Sequence, residues 1–133
     1  MADKKPNFKN KRRWKRFTVN NGAVVLIRKP SLWKLGKPSH VNLGPIKDIG
    51  MKGLAVQYVE SKKILHNVTT LSIMVPGRGI VVEDIPFRTV TDFEIAQLPN
   101  SRKVRTLCVC FERLLPMQKV HLERLIDECA NQC

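Results

Sequence analysis

The sequence has few acidic residues, few aromatic residues and no long apolar run, and these shortages exclude several classes of protein. No stretch approaches the ~20 consecutive apolar residues that a transmembrane helix needs. The N-terminus opens with charged residues and carries no apolar signal-peptide core. We therefore expect no membrane span and a cytoplasmic location. The 133 residues fit one domain, and the 43% of hydrophobic residues supply its core.

Metal-binding and catalytic motifs are also missing. The four cysteines (Cys108, Cys110, Cys129 and Cys133) contain no Cys-x-x-Cys pair, and the three histidines are not placed to complete a zinc site. No histidine belongs to a constellation with a nucleophile and a carboxylate. We predict that the protein is not an enzyme, that it uses no metal and no cofactor, and that its first three cysteines pack as small apolar residues.

The excess of positive charge is concentrated at one end of the chain. Residues 1–40 contain twelve lysines and arginines against one aspartate, a net charge of +11, whereas residues 41–133 contain twelve against ten acids, a net charge of +2. A localised positive field attracts a polyanion, a phosphate ligand or an acidic surface. We interpret residues 1–10 as a basic, flexible N-terminal tail.

Short alternating apolar segments, separated by turn signals, predict an all-β domain. Asn20-Asn21-Gly22 divides the first of these segments and predicts a hairpin with a tight type I′ turn. Gly44-Pro45 interrupts the strand-like residues 41–49 and indicates an edge position or a bulge. Six or so short strands followed by a helix indicate a compact antiparallel β-barrel with a C-terminal helix.

The helix is expected at about residues 116–130. Pro116 suits the first turn of a helix. Apolar residues recur after it at helical spacing and predict the face that packs on the barrel: Met117, Val120, Leu125, Ile126 and Cys129. If this stripe were left uncovered, it would become a surface for homodimerisation.

Two short motifs carry the functional prediction. The first, Arg12-x-x-x-Arg16, lies in a run where six of the nine residues 9–17 are cationic. The second is Asp48-x-Gly50-x-x-Gly53. Together they resemble the two signatures of the PilZ domain family, Arg-x-x-x-Arg and Asp/Asn-x-Ser-x-x-Gly. The resemblance implies an antiparallel six-stranded PilZ-type β-barrel with a C-terminal helix over residues 11–133, and a bacterial receptor for the second messenger cyclic di-GMP.

The resemblance also assigns roles to individual residues. Arg12 and Arg16 would contact guanine edges and phosphates, Asp48 would read a guanine edge, and Gly53 would let the backbone approach the ligand. These roles suit the chemistry, because a guanidinium matches the paired acceptors O6 and N7 of guanine and binds phosphate in bidentate fashion. A carboxylate accepts the two N–H groups on the other guanine edge.

Three further positions belong to the predicted ligand site. By the same resemblance, Arg13, which adjoins the first motif, would support it, and a cation at Lys11 would suit the binding of a stacked ligand pair. Gly50 stands where the family usually has serine, so a hydroxyl is missing. Because a neutral hydrogen bond is worth about 1 kcal/mol, Gly50→Ser is expected to tighten binding several-fold.

Two other functions stay open on the sequence alone. Some PilZ relatives have lost nucleotide binding and act as protein adapters, so a nucleotide-independent adapter is the first alternative. A basic barrel that binds nucleic acid is the second and is less favoured, because aromatic residues make up only 6% of the chain and show no clustered stacking platform. For both the cyclic di-GMP receptor and the adapter, we expect a protein partner, which the sequence does not identify.

Overall fold

The computed structural model describes residues 15–29, 39–60 and 68–130, which form seven strands and one helix. Lys11, Arg12, Arg13 and the predicted tail 1–10 lie outside the described residues. The elements are β1 (Arg16–Thr18), β2 (Val24–Lys29), β3 (Ser39–Gly50), β4 (Gly53–Val59), β5 (Thr70–Val75), β6 (Gly79–Gln97), β7 (Lys103–Phe111) and α1 (Pro116–Ala130).

The strands form one antiparallel sheet that closes on itself. The order is β1-β3-β2-β5-β6-β7-β4, and β4 also pairs with β3. This last pairing completes a ring of six strands, with β1 added as a seventh strand that pairs with β3. The predicted class, an antiparallel six-stranded β structure with a C-terminal helix, is therefore confirmed.

The strand β3 has different partners along its length. Its first part, Ser39–Pro45, pairs with β2, and its last part, Ile46–Gly50, pairs with β1 and β4. Register shifts mark the change, one opposite Val25/Leu26 and one between Ile46 and Asp48. Bulges increase the local bend of a strand, and this bend turns β3 from one half of the ring into the other. The sequence signal at Gly44-Pro45 thus marks a bulged region.

The predicted hairpin between β1 and β2 is wrong. Both strands run antiparallel to β3, so they point in the same direction and the chain does not reverse between them. Hydrogen bonds from Val19 N to Lys47 O and from Ile46 N to Ala23 O, both 3.0 Å, continue the pairing through the connection. A type I′ turn needs two residues with positive φ, but only Gly22 has one here (φ 80°).

The core fills the inside of the ring with aliphatic side chains from every strand that closes it. Alternation along the strands places one face inside, as the sequence pattern predicts. The largest side chains with essentially no exposure come from five strands and the helix: Ile49, Leu54, Ile73, Ile85, Leu107, Leu122 and Leu125. The side chains that alternate with these core residues therefore point to the outside of the ring.

The helix α1 packs on this core with a face that differs from the predicted one. Leu122, Leu125, Ile126 and Cys129 are buried, whereas Met117 and Val120 are exposed. The buried positions follow the i, i+3, i+4, i+7 spacing of one helical face, and Met117 and Val120 lie away from it. The prediction is therefore wrong for these two residues. No helix in the described ranges has the length and apolar character needed to cross a bilayer.

Gln118 lies on the buried face of α1, which the sequence pattern predicts to consist of apolar residues. Its Nε2 donates to the carbonyl oxygens of Glu83 (2.7 Å) and Asp84 (3.1 Å), and its Oε1 accepts from Leu115 N (2.8 Å). Asp84 has φ 54°, a value that turns its backbone out of regular strand geometry. The amide thus ties the first turn of α1 to an irregular point of β6.

A second polar network lies at the other end of the sheet. The Tyr58 hydroxyl donates to Asp92 Oδ2 (2.8 Å), and Arg105 Nε donates to Asp92 Oδ1 (2.8 Å). Burial, followed by the hydrogen bond and the negative charge of Asp92, raises the pKa of Tyr58 to about 12. The separate hydrogen bond that Arg105 donates to Asp92 raises the pKa of Arg105 above its usual value. The network joins β4, β7 and β6.

The titration of Tyr58 can be observed directly, because it is the one tyrosine of the sequence. The folded state raises its pKa above the ordinary value of 10, so its contribution to stability is complete below about pH 10 and is lost as the pH rises through about 12. We expect tyrosinate absorbance to develop with a midpoint near pH 12 while circular dichroism still reports folded protein. A midpoint near 10 in the folded protein would contradict the network.

Candidate functional site

The two motifs meet at one ion pair. Arg16 Nη1 lies 2.8 Å from Asp48 Oδ1, and the two residues are 32 positions apart in the sequence. The pairing of β1 with the end of β3 brings them together, since Arg16 lies opposite Gly50 and Thr18 lies opposite Asp48. Both side chains remain partly exposed, 24% for Arg16 and 36% for Asp48. An exposed pair of this kind contributes only about 0–1 kcal/mol to stability.

The motif residues share the outer face of the sheet. Phe17 and Ile49 point into the core, so their neighbours Arg16, Asp48 and Gly50 belong to the opposite face. Gly53 pairs with Cys110 on β7, and Cys110 pairs with Arg88 on β6. We call this outer surface the motif face and define it by these residues: Arg16, Asp48, Gly50, Gly53, Cys110 and Arg88.

Gly53 is required by the packing of the sheet itself. A Cβ atom at this position would collide with the carbonyl oxygen of Val109 on the neighbouring strand β7. Gly53 is also buried. The structure thus explains this glycine by the approach of β7, and the predicted approach of a ligand to its backbone stays a prediction.

Gly50 is also closely approached by a neighbouring backbone. A Cβ atom built there would lie 2.5 Å from the carbonyl oxygen of Lys15, and 3.5 Å from Cγ of Arg16. The absence of a side chain therefore lets the chain entering β1 lie directly against the end of β3. This contact gives Gly50 a structural reason that does not depend on a ligand.

Of the predicted site residues, the structure brings Arg16, Asp48, Gly50 and Gly53 together, while Lys11, Arg12 and Arg13 lie outside the described residues. Arg16 is the first residue of strand β1. Within the described ranges, no group of three or more histidine, cysteine, aspartate and glutamate side chains could hold a metal ion.

Arg88 is the charged residue of the motif face that the sequence did not single out. Its Nη2 lies 3.9 Å from Cys110 Sγ, so its side chain leans over β7 toward β4. Its Nε lies 3.9 Å from Glu112 Oε2. Arg88 belongs to no motif and lies far from the others in sequence. Only the pairing of β6 with β7 reveals its position.

An open cleft of about 360 Å³ lies beside the turn of the second motif. Met51 and Lys52 form one side of it, and the chain around Arg113 and the first half of α1 form the other. Its charged lining is mixed, because cations (Lys52, Arg113, Lys119) alternate with acids (Glu112, Glu123). The charged side chains that line the cleft are thus three positive and two negative.

The contact between Gly50 and Lys15 changes the expectation for Gly50→Ser. Any side chain at this position must displace the entry into β1 before its hydroxyl can contribute. We expect Gly50→Ala and Gly50→Ser to destabilise the protein alike, by about 1 kcal/mol or more, in urea unfolding. Alanine is the matched control, because it adds the carbon without the hydroxyl. Unchanged stability in both variants would show that β1 moves aside at no cost.

No protein-family model matches the chain, and no curated protein matches it. Among solved structures it is similar to the PilZ domain of YcgR from Escherichia coli with c-di-GMP, with 12% identity, a TM-score of 0.63 and coverage of 90% of this chain and 92% of that one. It is also similar to the K. pneumonia MrkH–c-di-GMP complex (14% identity, TM-score 0.62) and to MrkH in its apo state (16% identity, TM-score 0.61). The chain spans about half the length of the MrkH chains, 52% and 49%. The closed six-stranded sheet with its C-terminal helix is thus the fold of a PilZ domain.

Proposed function

We propose that this chain is a receptor module for cyclic di-GMP that binds the ligand on the motif face and passes the signal to a protein partner. The observation that carries the proposal is the contact between Arg16 and Asp48, which places the two motif halves side by side on the outside of the sheet. The PilZ fold supports it, because YcgR and MrkH structures of this fold contain c-di-GMP.

The side chains have the chemistry that this ligand needs. Cyclic di-GMP presents two guanines and two phosphodiesters. Arg16 offers a guanidinium fork that fits either the O6 and N7 edge of guanine or a phosphate. Asp48 offers two carboxylate oxygens for the N1–H and N2–H donors of guanine. Lys11, Arg12 and Arg13 lie five, four and three residues before Arg16 in the sequence, and we assign them to the same ligand as further cations.

Ligand binding exchanges one set of polar contacts for another. In the structure Arg16 and Asp48 satisfy each other. A guanine placed between them offers acceptors to the arginine and donors to the aspartate, so neither group is left unpaired. Because the ion pair is exposed and contributes little free energy, breaking it costs little. The exchange also frees Arg16 to move relative to the end of β3, which provides a change that a partner protein can sense.

A protein adapter that needs no nucleotide is the second candidate, and one observation favours it. Met117 and Val120 are exposed on α1, next to exposed Leu115. An exposed apolar patch on a helix is a typical contact surface for another protein, and the same surface would serve a second copy of this chain. The two candidates differ in one measurable property, the binding of the nucleotide.

Titration calorimetry with cyclic di-GMP tests the proposal. We expect micromolar or tighter binding to the unmodified protein, with GMP and a short oligonucleotide as control ligands. A flat titration with cyclic di-GMP at high protein concentration would overturn the proposal and favour the adapter. Tighter binding of the oligonucleotide would favour the nucleic-acid alternative.

Variants of the ion pair test the assigned residues. Arg16→Ala and Asp48→Ala should each weaken cyclic di-GMP binding by about tenfold or more, because a hydrogen bond to a charged group is worth ~1.5–3 kcal/mol. The melting temperature should change little, since the pair is exposed. Arg16→Lys retains the charge without the fork and should also weaken binding. If it binds as tightly as the unmodified protein, the geometry of the fork is irrelevant and the assignment is wrong.

A further inference from the structure

The motif face extends beyond the residues of the two motifs and includes the guanidinium group of Arg88 on its far side. In order across five neighbouring strands, the residues in this row are Arg16 on β1, Gly50 on β3, Gly53 on β4, Cys110 on β7 and Arg88 on β6. An arginine therefore stands at each end of the row. Between them lie two glycines and a cysteine, so no long side chain rises from the strands in between.

The two guanidinium groups lean toward each other. Arg16 reaches over β3 to Asp48, and Arg88 reaches over β7 to the sulfur of Cys110. The strand β4 with Gly53 lies between them. Since neighbouring strands are about 4.8 Å apart, strands β3 and β7 are separated by about 10 Å. A molecule with two bases and two phosphates is large enough to span this distance and contact both groups.

Arg88 is also more available to a ligand than the arginines of this domain that hold a carboxylate closely. Four described arginines hold a carboxylate oxygen within 3.0 Å, namely Arg16, Arg28, Arg78 and Arg105. The contact of Arg88 with Glu112 is much longer, 3.9 Å, and its side chain is 62% exposed. Arg88 therefore gives up little protein contact when it binds an external anion or acceptor.

We propose that Arg88 contacts the end of the dinucleotide remote from Arg16, where its guanidinium fork receives a pair of acceptor atoms. This inference rests on the proposed function and deepens it. The paired acceptors are either two phosphodiester oxygens or the O6 and N7 atoms of the second guanine, since both match the same fork. Arg88 and Arg16 then bind the ligand from opposite sides, with Gly53 beneath it.

The decisive experiment compares Arg88→Ala with Arg102→Ala in calorimetric titrations with cyclic di-GMP. Arg102 is an exposed arginine in the turn before β7, at the opposite end of that strand, so it controls for the loss of one positive charge. We expect Arg88→Ala to weaken binding by about tenfold or more, and Arg102→Ala to bind within about twofold of the unmodified protein. Arg88→Lys should lose much of the affinity as well, because it lacks the fork.

A ligand analogue separates the two acceptor groups. Cyclic di-GMP with 7-deazaguanine lacks N7 but retains both phosphates. If Arg88 reads guanine, the analogue should weaken binding more in the unmodified protein than in Arg88→Ala, which shows that the two changes are coupled. If Arg88 holds phosphate, the analogue should weaken both proteins by the same factor. Once Arg88→Ala has been shown to weaken binding, either result names the chemistry of the contact.

The outcomes keep the two proposals apart. If the unmodified protein binds cyclic di-GMP and Arg88→Ala binds it within about twofold, the role of Arg88 is overturned while the receptor function stands. If Arg102→Ala weakens binding as much as Arg88→Ala, the effect is one of overall charge and the contact is also overturned. If the unmodified protein does not bind, both proposals fall.

Melting temperatures of all variants show whether a loss of binding reflects unfolding. If Arg88→Ala does not fold, Arg88→Lys supplies the test, because it keeps the long side chain.

Discussion

The structure depends on the strand β3, which pairs on both sides and changes partners along its length. Its first part holds β2, and its last part holds β1 and β4, so the ring of six strands closes at this strand. Two register shifts supply the bend that this closure needs. Asp48 and Gly50 lie in the last part of β3. The candidate site is therefore built where the sheet closes, and its residues are positioned by the same pairings that complete the fold.

Closure brings backbones close together, and this affects how the second motif is interpreted. Gly50 and Gly53 each face a neighbouring carbonyl oxygen, from Lys15 and Val109 respectively, at a distance that leaves no room for a side chain. Both glycines thus have a structural reason that is independent of any ligand. The ion pair between Arg16 and Asp48 has no comparable packing role, because it is partly exposed and contributes little stability. These two charged side chains are the stronger argument for a binding site.

The charges of the domain divide into those that serve the fold and those that remain on the surface. Asp92 holds Tyr58 and Arg105, and Asp84 holds Arg28, in contacts that join different strands. Arg88 makes only long contacts on the motif face. A nearly neutral sheet with an arginine at each side of a glycine-lined row suits a ligand that carries negative charge and two aromatic bases. In the proposed receptor, the basic N-terminal third of the sequence would supply the long-range attraction of that ligand.

The sequence by itself determined the class of the fold, because alternation along a strand and the proline at the start of the helix are local signals. It also singled out Arg16 and Asp48 as candidate site residues, from residue type and spacing. Only the tertiary structure decided which segments are neighbours. Asn20-Asn21-Gly22 carries the local signal of a hairpin, yet pairing with β3 keeps the chain running in one direction. Met117 and Val120 have helical spacing, yet the buried face of α1 is set by where the helix meets the ring. Arg88 lies on the motif face because β6 pairs with β7. The sequence did not predict this position, since contacts between distant strands leave no periodic pattern in it.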